Sequence, residues 1–214
     1  MKIKTSLLIL FFAFLLFSCS KKQKTNGSEK KPSFEVVPLT EDSIKSENSS
    51  TIYKTGSGKS IQLLISKNES SLNHLGIVPV DFQHSKDTFS IKNADPLKHT
   101  WLSDLDQNGF DEIYLITSSV GSGGYETIYG YASNQDLSLT PIHVPQISEN
   151  DVMSDGDFYG YMGHDSIYID KNKMYRKFPI YNQGDANCCP TGGEKILSYQ
   201  LKAGEASWIL SLEN

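Results

Sequence analysis

Ten short runs rich in β-branched and aromatic residues, separated by turn residues, constrain this chain more than anything else in it. They are SIQLLIS (60–66), LGIVPVDF (75–82), DTFSIK (87–92), DEIYLITS (111–118), YETIYGYA (125–132), LSLTPIHV (137–144), DSIYID (165–170), KMYRKFPIY (173–181), EKILSYQL (194–201) and ASWILSL (206–212). Several alternate with a period of two, so that Leu197, Tyr199 and Leu201 share one face of a strand and Ile196, Ser198 and Gln200 the other. Beyond the first 18 residues no stretch sustains an apolar 3.6-residue period over three turns, which leaves a helix no face to bury. The connections are too short for parallel crossovers. The expected fold is all-β and mostly antiparallel, a sandwich or a barrel. DKNK (170–173) marks a tight hairpin.

The N-terminus is of another kind. Lys2 and Lys4 precede an unbroken apolar run from Leu7 to Phe17, eleven residues against the roughly twenty a membrane-spanning helix requires. Ser18 stands just before Cys19 and Leu16 three before it, the pattern of a lipoprotein signal cleaved ahead of an acylated cysteine. Residues 1–18 are therefore expected to be a signal peptide. Cys19 is the expected lipidation site. Residues 19–50, polar and lysine-rich at first, are expected to form a tether. Compact structure is expected over 51–214, enough chain for a core of its own. The expected location is the periplasm or outer membrane, with membrane contact through the lipid alone.

Charge narrows the partners. From Phe34 onward the chain has 13 Lys and Arg against 24 Asp and Glu, a formal −11 where the whole chain is −5. Such a domain repels nucleic acid and favours encounter with a basic partner. Besides Cys19 there are only the adjacent Cys188 and Cys189, open to being free thiols, a vicinal disulfide or half of an intermolecular link.

Several motifs fail on inspection. TGSGKS (55–60) lacks the earlier glycine of a phosphate loop, with Tyr53 in its place, and a strand rather than a helix follows. Ser122 has Val120 where a nucleophile elbow needs glycine. The histidines at 74, 84, 99, 143 and 164 show no metal-ligand spacing. No catalytic constellation emerges, and an enzyme is not expected. DLDQNGFDEI (104–113) is a better motif, because Asp104, Asp106 and Asn108 alternate as oxygen ligands around Gly109, with Asp111 and Glu112 just beyond. It is not an EF-hand, since Leu115 occupies the bidentate glutamate position. An Asx-rich turn without metal explains the same residues.

SSVGSGGY (118–125) joins two of the strand runs through a loop longer and richer in glycine than a hairpin requires. Three stretches together resemble the periplasmic inhibitors of invertebrate-type lysozyme. One is DLDQNGFDEIYLITSSVGSGGYETIYGYA; the second is GYMGHDSIYI (160–169). The third is RKFPIYNQGDANCCPTGGEKILSYQLKAGEASWILSL, in which the FPIY, GDAN, PTGG and GEASW blocks follow the family's order. The resemblance covers most of the chain from about Thr51. Cys188-Cys189 departs from the family pattern.

The resemblance implies a single-domain sandwich of two mostly antiparallel sheets that blocks lysozyme by pushing a loop into its active-site cleft. The implied binding loop comprises Ser119, Gly121, Ser122, Gly123, Gly124 and Tyr125, with the serine-tyrosine pair falling on Ser122 and Tyr125. The glycines are expected to supply positive φ and a narrow profile. The implied partner is a lysozyme, of the invertebrate type, and no cofactor or metal is expected. Whether the domain pairs with itself stays open. The alternative function is a calcium-stabilised envelope module that binds carbohydrate or protein, built around DLDQNG.

Overall fold

The structure, a computed structural model, describes the backbone of Glu35–Val36 and residues 48–67, 72–85 and 87–213. The expected signal peptide, Cys19 and most of the expected tether lie outside the described residues. Thirteen strands are described, with a 3-10 turn at Asn150–Val152. All the paired strands within the sheets are antiparallel.

The first sheet holds β1 (Glu35–Val36), β2 (Ser49–Lys54), β3 (Ser60–Lys67), β4 (Asn73–Val80) and β5 (Phe89–Ala94) in the order β1-β5-β4-β3-β2. The second holds β6 (Leu97–Ser103), β7 (Glu112–Ser118), β8 (Glu126–Asn134) and β9 (Ser138–Ile142) in chain order. The third holds β10 (Ser166–Asp170), β11 (Lys173–Pro179), β12 (Glu194–Ala203) and β13 (Trp208–Leu212), again in chain order. All ten expected runs contain strands. Strand structure also occurs inside the stretch expected to be tether, where Glu35 and Val36 pair with Ser90 and Phe89.

The expectation of two sheets is corrected to three, and β7 gives the reason. Its residues Ile113 and Leu115 join a core cluster with Ile61, Leu63, Leu75 and Ile77 of the first sheet. The intervening Tyr114 and Ile116 join another with Met174, Leu201 and Leu210 of the third. A strand buried on both faces has no solvent side to present, so IYLI (113–116) reads as a continuous apolar run rather than an alternation. The second sheet is thus the middle layer. Each fully buried Ile or Leu contributes about 1.5–3 kcal/mol, so both interfaces are strongly held.

The second and third sheets also meet along an edge. His143, just past β9, donates its N–H to the Trp208 carbonyl at 2.8 Å and accepts from the Leu210 N–H at 2.9 Å. At the other end of the third sheet the expected tight hairpin is present. Lys171 and Asn172 take φ of 49° and 58°, the positive pair that lets a two-residue turn match strand twist.

Candidate functional site

The glycine-rich loop, residues 119–125, links β7 to β8 in the middle sheet. Its base is closed like a clasp. Ser119 N–H donates to the Tyr125 carbonyl at 2.9 Å, and Tyr125 N–H donates to Ser119 Oγ at 2.9 Å. Ser119 therefore shapes the loop rather than extending from it. At the tip, Gly124 N–H donates to the Gly121 carbonyl at 3.1 Å, a turn that Gly124 permits by taking φ of +50°. Of the three loop glycines expected to supply positive φ, only Gly124 does so. Gly123 serves by lacking a side chain, because a Cβ there would overlap the Tyr125 ring.

Two distant segments brace the loop. His164 N–H donates to the Gly123 carbonyl at 2.5 Å, and Asn187 Nδ2 donates to the Ser122 carbonyl at 3.0 Å. The braces are tied to each other, with His164 Nε2 and Asn187 Oδ1 3.2 Å apart. Asn187 is held in turn by the Tyr181 hydroxyl, which donates to its carbonyl at 2.8 Å. The Tyr125 ring meets the edge of Tyr161 at a centroid distance of 5.8 Å. These contacts fix the backbone while Ser122 stays exposed and Tyr125 and Val120 remain 45% and 75% exposed. Cys188 and Cys189, next to Asn187, are exposed free thiols.

Beneath the loop lies a buried polar cluster. Asp165 accepts from the Glu126 N–H at 2.9 Å and the Tyr161 hydroxyl at 3.0 Å, and pairs with Arg176 at 3.3 Å. Arg176 also donates to the Glu126 carbonyl at 3.2 Å. The Glu126 carboxylate pairs with Lys98 and accepts from the Ile167 N–H at 2.6 Å. Burial pushes the Asp165 carboxyl up, and Arg176 opposes the shift. The cluster ties β8 to the third sheet at the point where the loop rejoins the fold.

The acidic turn between β6 and β7 is separate from this loop. Asp104 accepts from the N–H groups of Asn108 at 2.9 Å and Gly109 at 2.8 Å, and Asn108 Oδ1 accepts from the Phe110 N–H at 2.8 Å. These are the Asx bonds expected of the motif. Glu112, which opens β7, lies fully buried under the turn. Burial pushes its carboxyl up to about 8, and the charges of Asp106, Asp104 and Asp111 push the same way. Glu112 stands just beyond the turn in sequence, as the motif has it, but its burial is not legible from spacing; Leu115, which excludes an EF-hand, is in the core. TGSGKS forms the β2–β3 turn, with the Gly56 N–H donating to Asp111 Oδ2 at 2.5 Å.

Comparison of the chain with protein-family models, with curated proteins and with solved structures found no match. Among the described residues no helix is long and apolar enough to cross a membrane.

Proposed function

We propose that this protein is a non-catalytic lysozyme inhibitor of the bacterial envelope, lipid-anchored through Cys19, which enters the lysozyme cleft with the 119–125 loop. One observation carries the reading beyond sequence resemblance. The loop is gripped by its backbone carbonyls, from Asn187 and His164, so Ser122 and Tyr125 are presented to solvent on a fixed frame. A loop that is ordered before binding loses less conformational entropy in the complex.

The side-chain chemistry suits the target. A lysozyme cleft holds one protonated and one ionised carboxyl group. Hydroxyls both donate and accept, so Ser122 and Tyr125 can satisfy either group without burying a charge. Tyr125 adds a large contact surface at little entropic cost, as interface anchors do. We read the second and third sheets, packed across their shared core, as the sandwich that the resemblance implies, with the first sheet as a further layer. The preferred target is a lysozyme of the invertebrate type.

The test is peptidoglycan lysis by an invertebrate-type lysozyme, titrated with the full chain and with the Ser122→Ala/Tyr125→Ala double variant. The wild type should inhibit stoichiometrically. The variant should lose at least about 30-fold in affinity, the cost of one strong anchor, while staying folded and melting about 2–5 °C lower, because Ser122 is exposed and Tyr125 gives up its ring contact with Tyr161. Unchanged lysis with excess wild-type protein, for invertebrate, chicken and goose types alike, would dispose of this function.

A further inference from the structure

We propose that Asp104, Asp106 and Glu112 form a calcium site under the turn between β6 and β7, independent of the lysozyme-directed loop. One carboxylate oxygen from each residue lies within 4.8 Å of the others. Three carboxylates at that spacing are a familiar surface feature and would mean little alone. Glu112 supplies the second observation. Its side chain is 0% exposed, and its Oε1 has no hydrogen-bond partner among the described residues. The other oxygen, Oε2, accepts from the Leu105 N–H at 2.8 Å and lies 3.4 Å from the Tyr114 hydroxyl.

A buried carboxylate oxygen lacking a donor costs folding free energy, and more so when no countercharge is near. The charges acting on Glu112 are those of Asp106, Asp104 and Asp111, all negative. A divalent cation among the three carboxylates would remove both deficits together. It would also join Asp104, directly after β6, to Glu112 at the start of β7, closing the end of a hairpin in the middle sheet.

The donor set selects the ion. Three carboxylates without histidine or cysteine suit a hard cation rather than zinc or a softer metal. Asp104, Asp106 and Glu112 fall at the first, third and ninth positions of an Asx-rich loop, with Asn108 at the fifth. A loop with its outer carboxylates half-buried and open to water fits calcium, which accepts six to eight oxygens in irregular geometry. Magnesium demands a near-ideal octahedron and gives up its own water reluctantly.

The full chain, freed of metal with a calcium chelator, would be titrated with calcium chloride while its melting temperature is followed. An affinity of about 10⁻⁴ M, in the range of extracellular modules, gives a rise of about 5 °C at about 10 mM calcium, with a smaller rise for magnesium. Terbium should bind in calcium's place and emit on tyrosine excitation, because Tyr114 adjoins Glu112, and calcium should displace it. Asp106→Ala, at a half-buried position that leaves the core intact, should abolish both signals. Glu112→Gln should lose the calcium response while melting higher than wild type in chelator, since a neutral amide is cheaper to bury there. If Glu112→Gln does not fold, Asp106→Ala decides. The proposal is overturned if calcium leaves wild-type melting unchanged at about 10 mM, or if Asp106→Ala keeps the full wild-type shift.

Discussion

At the scale of single residues, the glycines beside the loop do different jobs that substitution can separate. Gly163 takes φ of +87°, and a Cβ there would overlap the Gly123 carbonyl oxygen, the atom that His164 grips. Gly163→Ala therefore adds backbone strain and pushes against the loop at its brace. We expect inhibition to weaken by about 10-fold or more, with a stability loss of about 1–3 kcal/mol. Gly121 is the contrast, since a Cβ there meets nothing within 4 Å and its φ is not in the left-handed region. Gly121→Ala should keep the fold within about 0.5 kcal/mol of wild type. Inhibition assays and thermal melts on the pair check both statements. Equal behaviour of the two variants would mean that the brace has no role in presenting Ser122 and Tyr125.

At the scale of strands and turns, the loop's base and the acidic turn make opposite electrostatic statements. The Asp165–Arg176 pair is buried and richly hydrogen-bonded, so Arg176→Met leaves a stranded carboxylate under β8 and should cost about 3–5 kcal/mol, read by chemical denaturation. Glu112 has no such partner among the described residues. In chelator its folded-state carboxyl titrates at about 8, above the ordinary value of 4.5. Between those values the folded chain keeps a proton that the unfolded chain has released, so stability falls as pH rises from about 5 to 8. Glu112→Gln should flatten that slope in melts run across the window. The sequence revealed these elements unevenly. Alternation in β12 and the DKNK turn were plain, because one face of β12 is half-covered and the hairpin needs two positive φ values. β2 is not legible because it is a mostly exposed ladder partner, and β6 because its apolar residues, Leu97, Trp101 and Leu102, follow no period of two. The loop itself was legible from its glycines. Its braces were not, since His164 and Asn187 arrive from 41 and 65 residues along the chain, as separations from Gly123 and Ser122.

At the scale of the whole molecule, charge and layering combine into a statement about encounter. The layers pack around two apolar cores, and among the described residues the acidic side chains other than Glu112, Glu126 and Asp165 lie partly or fully at the surface. From Phe34 onward the acidic surplus is a formal −11. The loop contributes nothing to it, because residues 119–125 carry no charged side chain. The proposed recognition element is therefore neutral while the body that carries it is strongly negative. Such a division separates approach from contact. The field of the body accelerates diffusion toward a basic protein over distances comparable to the Debye length, and the neutral loop then enters without a charge to desolvate. Association with a basic lysozyme should slow by about 10-fold or more between low ionic strength and about 0.5 M salt, while the dissociation rate changes little. Stopped-flow mixing at several salt concentrations measures both rates. The Ser122→Ala/Tyr125→Ala variant should show the converse, dissociating faster with its salt-dependent association intact, because loop contacts act after the field has done its part. A dissociation rate as salt-sensitive as association would instead place charged groups inside the interface, where a loop without them cannot be the principal contact.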